Sequence, residues 1–335
     1  MLVGSNLLWH RKGDDIVTEN SKEILEKYQV RKNGKQKREF RDYIQKIASE
    51  EGYDYKEEKS FGACNVVIGN IDTAKAVYTA HYDTCAVLPF PNFITPKNFF
   101  IYLIYQFIIA FGFLGILYGL AYLLIGLPSM LIENEVILSM ITMLAFLILQ
   151  FVFWFSMLWI MGLGVANKHT ANDNTSGVIT LVEIMKTLPK ETRNDVALVF
   201  FDLEEVGLVG SMAFKSKHKK VMKNKLLINF DCVSDGENML FAIKKKAKKY
   251  LPYLEESFKD NDNIKVDLAT HGVFYPSDQA SFPYGIGVAS LKKTKLFGIL
   301  YMNRIHTPKD TIFREENIEY LTQGAIKLAE TLPKE

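Results

Sequence analysis

Hydrophobic and polar positions along this chain fall into two regimes. From Asn98 to Leu127, and again from Val136 to Val165, no Asp, Glu, Lys or Arg occurs, and polar side chains are few, chiefly Gln106, Ser139, Thr142, Gln150 and Ser156. A helix needs roughly 20 apolar residues to cross the ~30 Å hydrocarbon core of a bilayer, and each run exceeds that length. Two membrane-spanning helices are expected. The alternative is a pair of buried core helices, which rarely stay apolar on every face for so long.

The rest of the pattern is that of a globular domain. Phe40, Tyr43, Ile44 and Ile47 fall at i, i+3, i+4, i+7 and predict an amphipathic helix over Arg38 to Ile47, packed on a sheet. Asn65 to Gly69 and Ala76 to Ala80 read as short strands, the second running straight into His81. Pro89, Pro91 and Pro96 mark an irregular exit toward the apolar block. Beyond that block, Val178, Leu181, Val182 and Met185 repeat the helical spacing just after the cap-type residues Asp173-Asn174-Thr175-Ser176. Val196 to Phe201 is a continuous apolar run of central-strand type, ending at Asp202-Leu203-Glu204-Glu205. Leu226 to Phe230 is another and ends at Asp231, while Ile318, Leu321, Ala325 and Leu328 predict a final surface helix. This alternation predicts an α/β domain with a mixed, largely parallel sheet between helices. No internal repeat is present.

Composition narrows the function classes. The 335 residues carry 40 basic and 38 acidic side chains, a formal net charge of +2, so no global field favours nucleic acid and no such partner is expected. The cysteines Cys64, Cys85 and Cys232 are odd in number and lack zinc-ribbon spacing, which implies neither a disulfide framework nor a cysteine-based metal site. A reducing compartment fits that usage. The stretch from Met1 to Asp15 has no apolar run of the length a secretory leader needs, so export by that route is not expected.

Three predicted strands end in a potential metal ligand: His81, the Glu204-Glu205 pair and Asp231. In open α/β sheets, sites form outside the carboxyl ends of strands, where segments distant in sequence converge. Imidazole and carboxylate donors suit zinc. Two ions ~3.5 to 4 Å apart need a bridging carboxylate, further ligands on each side and a free carboxylate as base. Each residue alone has an ordinary reading: a hydrogen-bonded structural histidine, a solvated glutamate pair, an aspartate in a turn or cap. Their order, spacing and strand-end placement together carry the signal.

At that level the chain resembles a known family. Thr79-Ala80-His81-Tyr82-Asp83-Thr84, Ala171-Asn172-Asp173-Asn174-Thr175-Ser176-Gly177-Val178, Phe201-Asp202-Leu203-Glu204-Glu205-Val206-Gly207-Leu208, Asn229-Phe230-Asp231 and Ile305-His306-Thr307-Pro308-Lys309-Asp310-Thr311 look like the successive metal-site motifs of the zinc aminopeptidases of metallopeptidase family twenty-eight. That family includes bacterial leucyl aminopeptidases, glutamate carboxypeptidase II and animal glutaminyl cyclases. The resemblance runs from about residue 38 to 332, the apolar block excepted, and implies a zinc-exopeptidase fold of the phosphorylase/hydrolase-like type. It implies that His81 and Asp231 hold one zinc ion, Glu205 and His306 the other, and that Asp173 bridges them. Glu204 would be the general base, and Asp83 a carboxylate orienting a ligand histidine. The substrate implied is a peptide with a free N-terminus, cleaved by water activated at two divalent metal ions. Ser277-Asp278-Gln279 resembles the family's Ser-Asp-His segment with Gln279 where His is frequent, and Tyr275 could donate to an oxyanion or simply be a packed loop aromatic.

The departure from the family is the apolar block, which separates His81 from Asp173. Expected domains are therefore a discontinuous peptidase domain, residues 1–96 and 166–335, and a transmembrane hairpin insertion, 97–165. Both halves must lie on one side of the membrane. Glu133 and Glu135 in the turn from Pro128 to Glu135, against Lys97 and Lys168 at the outer ends, place them in the cytoplasm by the positive-inside bias. Basic stretches from Lys215 to Lys225 and Lys244 to Lys249 read as solvated faces or as contacts to anionic headgroups of the lipid bilayer. Two rivals stand beside the peptidase: a single-zinc glutaminyl cyclase, and a catalytically silent membrane scaffold of the same fold. Oligomeric state is left open.

Overall fold

The computed structural model describes residues 18–159 and 163–333. The N-terminal stretch read for a leader lies outside the described residues, as do positions 160–162 of the second apolar run. Nine strands form one mixed sheet: β1 Tyr55–Ser60, β2 Ala63–Ile68, β3 Ala76–His81, β4 Val196–Phe201, β5 Leu226–Phe230, β6 Asn238–Ile243, β7 Lys265–Ala269, β8 Gly285–Lys293 and β9 Leu300–Tyr301. Their order is β1-β2-β4-β3-β5-β8-β6-β7, with β9 on β8. The central block β4-β3-β5-β8 is parallel, while β2 and β6 join it antiparallel and β1 pairs antiparallel with β2.

Side chains of the central strands alternate between two cores. Tyr78, Ala80, Leu198, Phe200, Ile228 and Phe230 face one cluster, together with Phe40, Ile44, Leu181 and Leu321 from the helices Gly34–Glu50, Gly177–Thr187 and Glu315–Thr331. Val77, Ala197, Val199, Phe201 and Leu227 face the other, closed by Phe214 from the helix Val209–Lys217 and by Phe282. Burial on both faces is why these strands read as unbroken apolar runs. The helix Gly34–Glu50 starts at a capping box, with Asn33 Oδ1 accepting from the Gln36 amide and the Gln36 side chain from the Asn33 amide.

The apolar block forms two helices, Phe99–Leu131 and Glu135–Leu158, each long and apolar enough to cross a membrane. Neither is a core helix: Phe100, Leu131, Val136 and Phe151 are 68 to 82% exposed. The first helix runs further than the expected turn from Pro128 to Glu135 allows. A π-turn over Tyr122–Gly126 shifts the hydrogen-bond register just ahead of Pro128, which then opens the last helical segment where its missing N–H costs nothing. The turn shrinks to residues 132–134, and Asn134 caps the second helix by accepting from the Val136 and Ile137 amides. At the root, Ala86 and Ala166 pair as an antiparallel bridge, the Val87 amide donates to the Val165 carbonyl, and Trp159 Nε1 donates to the Val87 carbonyl.

Candidate metal centre

The parallel block brings its carboxyl ends to one level, since Ala76 is in register with both Val196 and Leu226. His81 closes β3 and Asp231 follows β5 directly; Glu204 and Glu205 stand in the loop after β4. Asp173 comes from the segment Ala171–Ser176 and His306 from the chain beyond β9. These six meet. The two oxygens of Asp173 face different imidazoles: Oδ1 lies 3.4 Å from His81 Nε2 and Oδ2 lies 2.9 Å from His306 Nε2. Asp231 Oδ1 sits 3.5 Å from His81 Nε2, and Glu205 Oε2 3.3 Å from His306 Nε2. Two donor groups with Asp173 in common follow, His81-Asp173-Asp231 and Asp173-Glu205-His306, the second joined by Cys85.

A layer of backbone bonds holds these side chains. The Asp83 carboxylate accepts from the amides of Glu204 and Glu205 at 3.0 and 3.2 Å, fixing the glutamate loop against the His81 segment. His81 Nδ1 faces the Asp83 carbonyl oxygen at 3.1 Å and its carboxylate at 3.6 Å, so Asp83 orients the ring as well. Asp310 does for Asp173 what Asp83 does for the glutamates, accepting from the Asn172 and Asp173 amides at 2.8 and 3.0 Å. Asn172 and Asn174 stitch the same segment to β5: Asn172 Oδ1 accepts from Ser234 and Asp235, Asn174 Oδ1 from Gly177 and Cys232, and Asn174 Nδ2 donates to the Phe230 carbonyl. Gly177 is required where it stands, because a Cβ there would meet the Phe230 carbonyl oxygen at 2.2 Å. Leu203, Cys232 and His306, each a ligand candidate or next to one in the chain, adopt left-handed backbone with φ of 56, 59 and 60°, a conformation that costs non-glycine residues of order 1–3 kcal/mol. The surrounding bonds hold it.

The charge balance of the cluster is that of a cation site. Burial, reinforced by Glu205, Asp278 and Asp231 against the opposing pull of His81, pushes Glu204 well above the usual carboxylate range. Burial likewise lifts Glu205 to about 8 and Asp278 to about 7. Burial disfavours the charged imidazoles, yet Glu204 and hydrogen bonds from His81 to Asp173, Asp231 and Asp83 raise His81 well above the ordinary value, and Glu205 with Asp173 raises His306 to about 9. Among the described residues, Glu205 Oε1 is buried without a hydrogen-bond partner, and the buried Asp278 carboxylate has at most the Ser211 side chain. Carboxylates crowded and under-bonded in this way are suited to divalent cations, and the nitrogen and oxygen donors fit zinc.

Residues 161–329, half the chain, match the model of peptidase family M28. The chain belongs to peptidase family M28. The matched stretch carries Asp173, Glu204, Glu205, Asp231 and His306, whereas His81 and Asp83 lie before it on the far side of the apolar block. Among solved structures, the M28 chain is similar to the LapA aminopeptidase of Legionella pneumophila, at 14% identity over 95% of this chain and 68% of that one, with a TM-score of 0.53. It is also similar to a leucine aminopeptidase precursor from Bacteroides thetaiotaomicron, at 13% identity over 90% of this chain and 91% of that one, with a TM-score of 0.50. These likenesses show the mixed sheet and helices of the M28 aminopeptidase fold. No curated protein matches the chain by sequence.

Three features of this M28 site differ from the reading of the sequence or go beyond it. Tyr275 donates its hydroxyl to the Asp231 carbonyl at 3.0 Å, so in this structure the proton expected for an oxyanion is already engaged. Cys85 offers its sulfur beside Asp173, Glu205 and His306, with Asn167 Nδ2 3.8 Å away; cysteine spacing gave no hint of this, because its partners are a carboxylate and imidazole set and not other cysteines. Asp278, which the sequence marks only as part of Ser277-Asp278-Gln279, enters the charge network of Glu204. A neighbouring cavity of about 300 Å³ is lined by Tyr275, Pro276, Gln279 and Lys244 and includes none of the ligand candidates.

Proposed function

We propose that this M28 peptidase is a membrane-anchored zinc aminopeptidase, removing N-terminal residues from peptides at a site for two divalent ions. The observation that carries the reading is the division of Asp173 between His81 and His306, which makes one carboxylate common to two donor groups. His81 and Asp231 would hold one ion, Glu205 and His306 the other, with Asp173 bridging. When bound, the ions would polarise the scissile carbonyl and lower the pKa of a water molecule. Glu204 sits among them with its carboxyl not needed as a ligand, so it takes the water's proton and returns it to the leaving amine. Asp83 keeps that base in place through the Glu204 and Glu205 amides.

The peptidase domain, 1–96 and 166–335, is interrupted by the hairpin 97–165, which anchors it with both halves on the cytoplasmic face. The peptide substrate presents a free N-terminus, as the names of the similar folds suggest. A silent scaffold would have no use for a half-buried carboxyl beside five ligand candidates, and a single-ion cyclase would leave the His81-Asp231 pair without a role. Metal analysis of the purified protein together with hydrolysis of aminoacyl-arylamides tests the reading. Two metals per chain are expected, and Glu204→Gln should keep both while lowering kcat by ~10²- to 10⁴-fold. One metal per chain, or full activity in Glu204→Gln, would sink it.

A further inference from the structure

Close to the root of the helical hairpin a second apolar element stands exposed. The β8–β9 hairpin pairs Lys292 with Tyr301 and Lys293 with Leu300. Its turn is ordered: the Thr294 and Ile299 backbones bond to each other, Thr294 Oγ1 accepts from the Ile299 amide at 2.9 Å, and Gly298 supplies the left-handed residue at φ 64°. That framework presents Leu296 and Phe297 outward, 81 and 77% exposed, directly after the exposed Lys293 and Lys295. No Asp or Glu occurs from Gly285 to Lys309. A soluble surface gains nothing from displaying a leucine and a phenylalanine on an ordered basic turn.

The position of the turn tells what covers it. Phe93 packs on Tyr301, the strand partner of Lys292, with ring centroids 5.4 Å apart, and on Tyr105 of the first apolar helix at 5.9 Å. Ile94 and Met302 exchange both backbone bonds of an antiparallel bridge at 2.9 Å. The base of the β-hairpin and the start of the first apolar helix therefore meet at Phe93. We infer that the β8–β9 turn is a lipid-binding tip: Leu296 and Phe297 enter the bilayer that holds the helices, while Lys293 and Lys295 meet anionic headgroups. This inference rests on the membrane reading of residues 97–165. It adds a third point of contact, which removes the freedom of the domain to swing on its two tethers, and because His306 follows Tyr301 by five residues the contact sets how the metal centre faces the membrane. Apolar insertion with adjoining lysines is the pattern expected of an interfacial anchor, and the lysines favour a negatively charged leaflet.

The test uses the full chain in vesicles of equal parts phosphatidylcholine and phosphatidylglycerol, with a nitroxide on Phe297→Cys and, in a separate sample, on Met143→Cys in the second helix. The native cysteines are buried and leave the introduced thiol as the reactive one. Both labels are expected to be accessible to oxygen and protected from an aqueous nickel chelate, and the Phe297→Cys label should become several-fold more accessible to nickel in vesicles of phosphatidylcholine alone. A Phe297→Cys label open to nickel in the mixed vesicles, with Met143→Cys still protected, would overturn the tip and leave the anchor standing. Both labels open to nickel would remove the anchor and the tip with it. Spin–spin broadening at Phe297→Cys would assign the turn to a second copy of the chain and equally overturn the proposal.

Discussion

At the scale of single residues, the metal centre depends as much on acceptors of backbone N–H groups as on the ligands. Asp310 is the clearest case, since its two oxygens take the amides of Asn172 and Asp173 and so set where the shared carboxylate points. An asparagine fits the same space but turns an amide N–H₂ toward one of those N–H groups. Asp310→Asn is therefore expected to weaken metal binding by about 10- to 100-fold, the usual cost of losing a partner just outside the ligands, with the far-ultraviolet circular dichroism unchanged. Competition with a chromophoric chelator measures it, and an affinity equal to that of the unchanged chain would show that Asp173 is held by other means. Among the ligand candidates, His81, the Glu204-Glu205 pair and Asp231 stand at or just after strand ends, a placement that local pattern reveals, whereas Asp173 and His306 were named only through the resemblance to the family's motifs. Asp310, Cys85 and Asp278 were not legible, because their roles come from bonds and proximities between segments more than 70 residues apart, which no spacing along the chain encodes.

At the scale of elements, the same division between local and distant information explains what the pattern did and did not give. β3, β4 and β5 are buried throughout and apolar but for Thr79, His81 and Asn229, because both faces are covered, and they were readable as strands for that reason. β1 reads Tyr-Lys-Glu-Glu-Lys-Ser and looks like surface; it is a strand because it lies at the edge of the sheet, where charge discourages further pairing. The helix Gly177–Thr187 was legible from its apolar stripe, but the reason it begins with glycine was not. Its first turn lies against the end of β5, and the distance between them fixes Asp173 relative to Asp231. Gly177→Ala would drive a methyl group against the Phe230 carbonyl and the Asn174 side chain. Overpacking of this kind typically costs about 1–3 kcal/mol. The variant should melt several degrees lower and lose more affinity at the ion that needs both aspartates than at the one held by Glu205 and His306. Calorimetry and metal titration read the two effects, and a variant that melts and titrates like the parent would mean that the helix can slide without disturbing the site.

At the scale of the whole molecule, the question is whether the peptidase domain needs its hairpin to fold. The three buried hydrophobic clusters draw no residue from 98–165, and the sheet is complete without it. The root is closed by the domain's own bonds: Ala86 pairs with Ala166, the Asn167 amide donates to the Cys85 carbonyl, the Leu88 amide to the His306 carbonyl and Asn167 Nδ2 to the Thr307 carbonyl. Those bonds tie both ends of the insertion to the loop that carries His306, so the site is braced from outside the apolar helices. Replacing residues 98–165 by a flexible Gly/Ser linker is therefore expected to yield a protein that stays in solution without detergent, unfolds cooperatively and binds the same number of metal ions. Its hydrolysis of a small aminoacyl-arylamide should fall only moderately, because the groups around Glu204 are untouched, whereas cleavage of peptides bound to vesicles should fall much further once the domain is no longer held at the surface. Thermal unfolding, metal analysis and paired assays on free and vesicle-bound substrates separate these effects. An aggregated or metal-free product would show that the helices are part of the domain's own fold; equal losses on both substrates would show that anchoring does nothing to bring the site to its peptides.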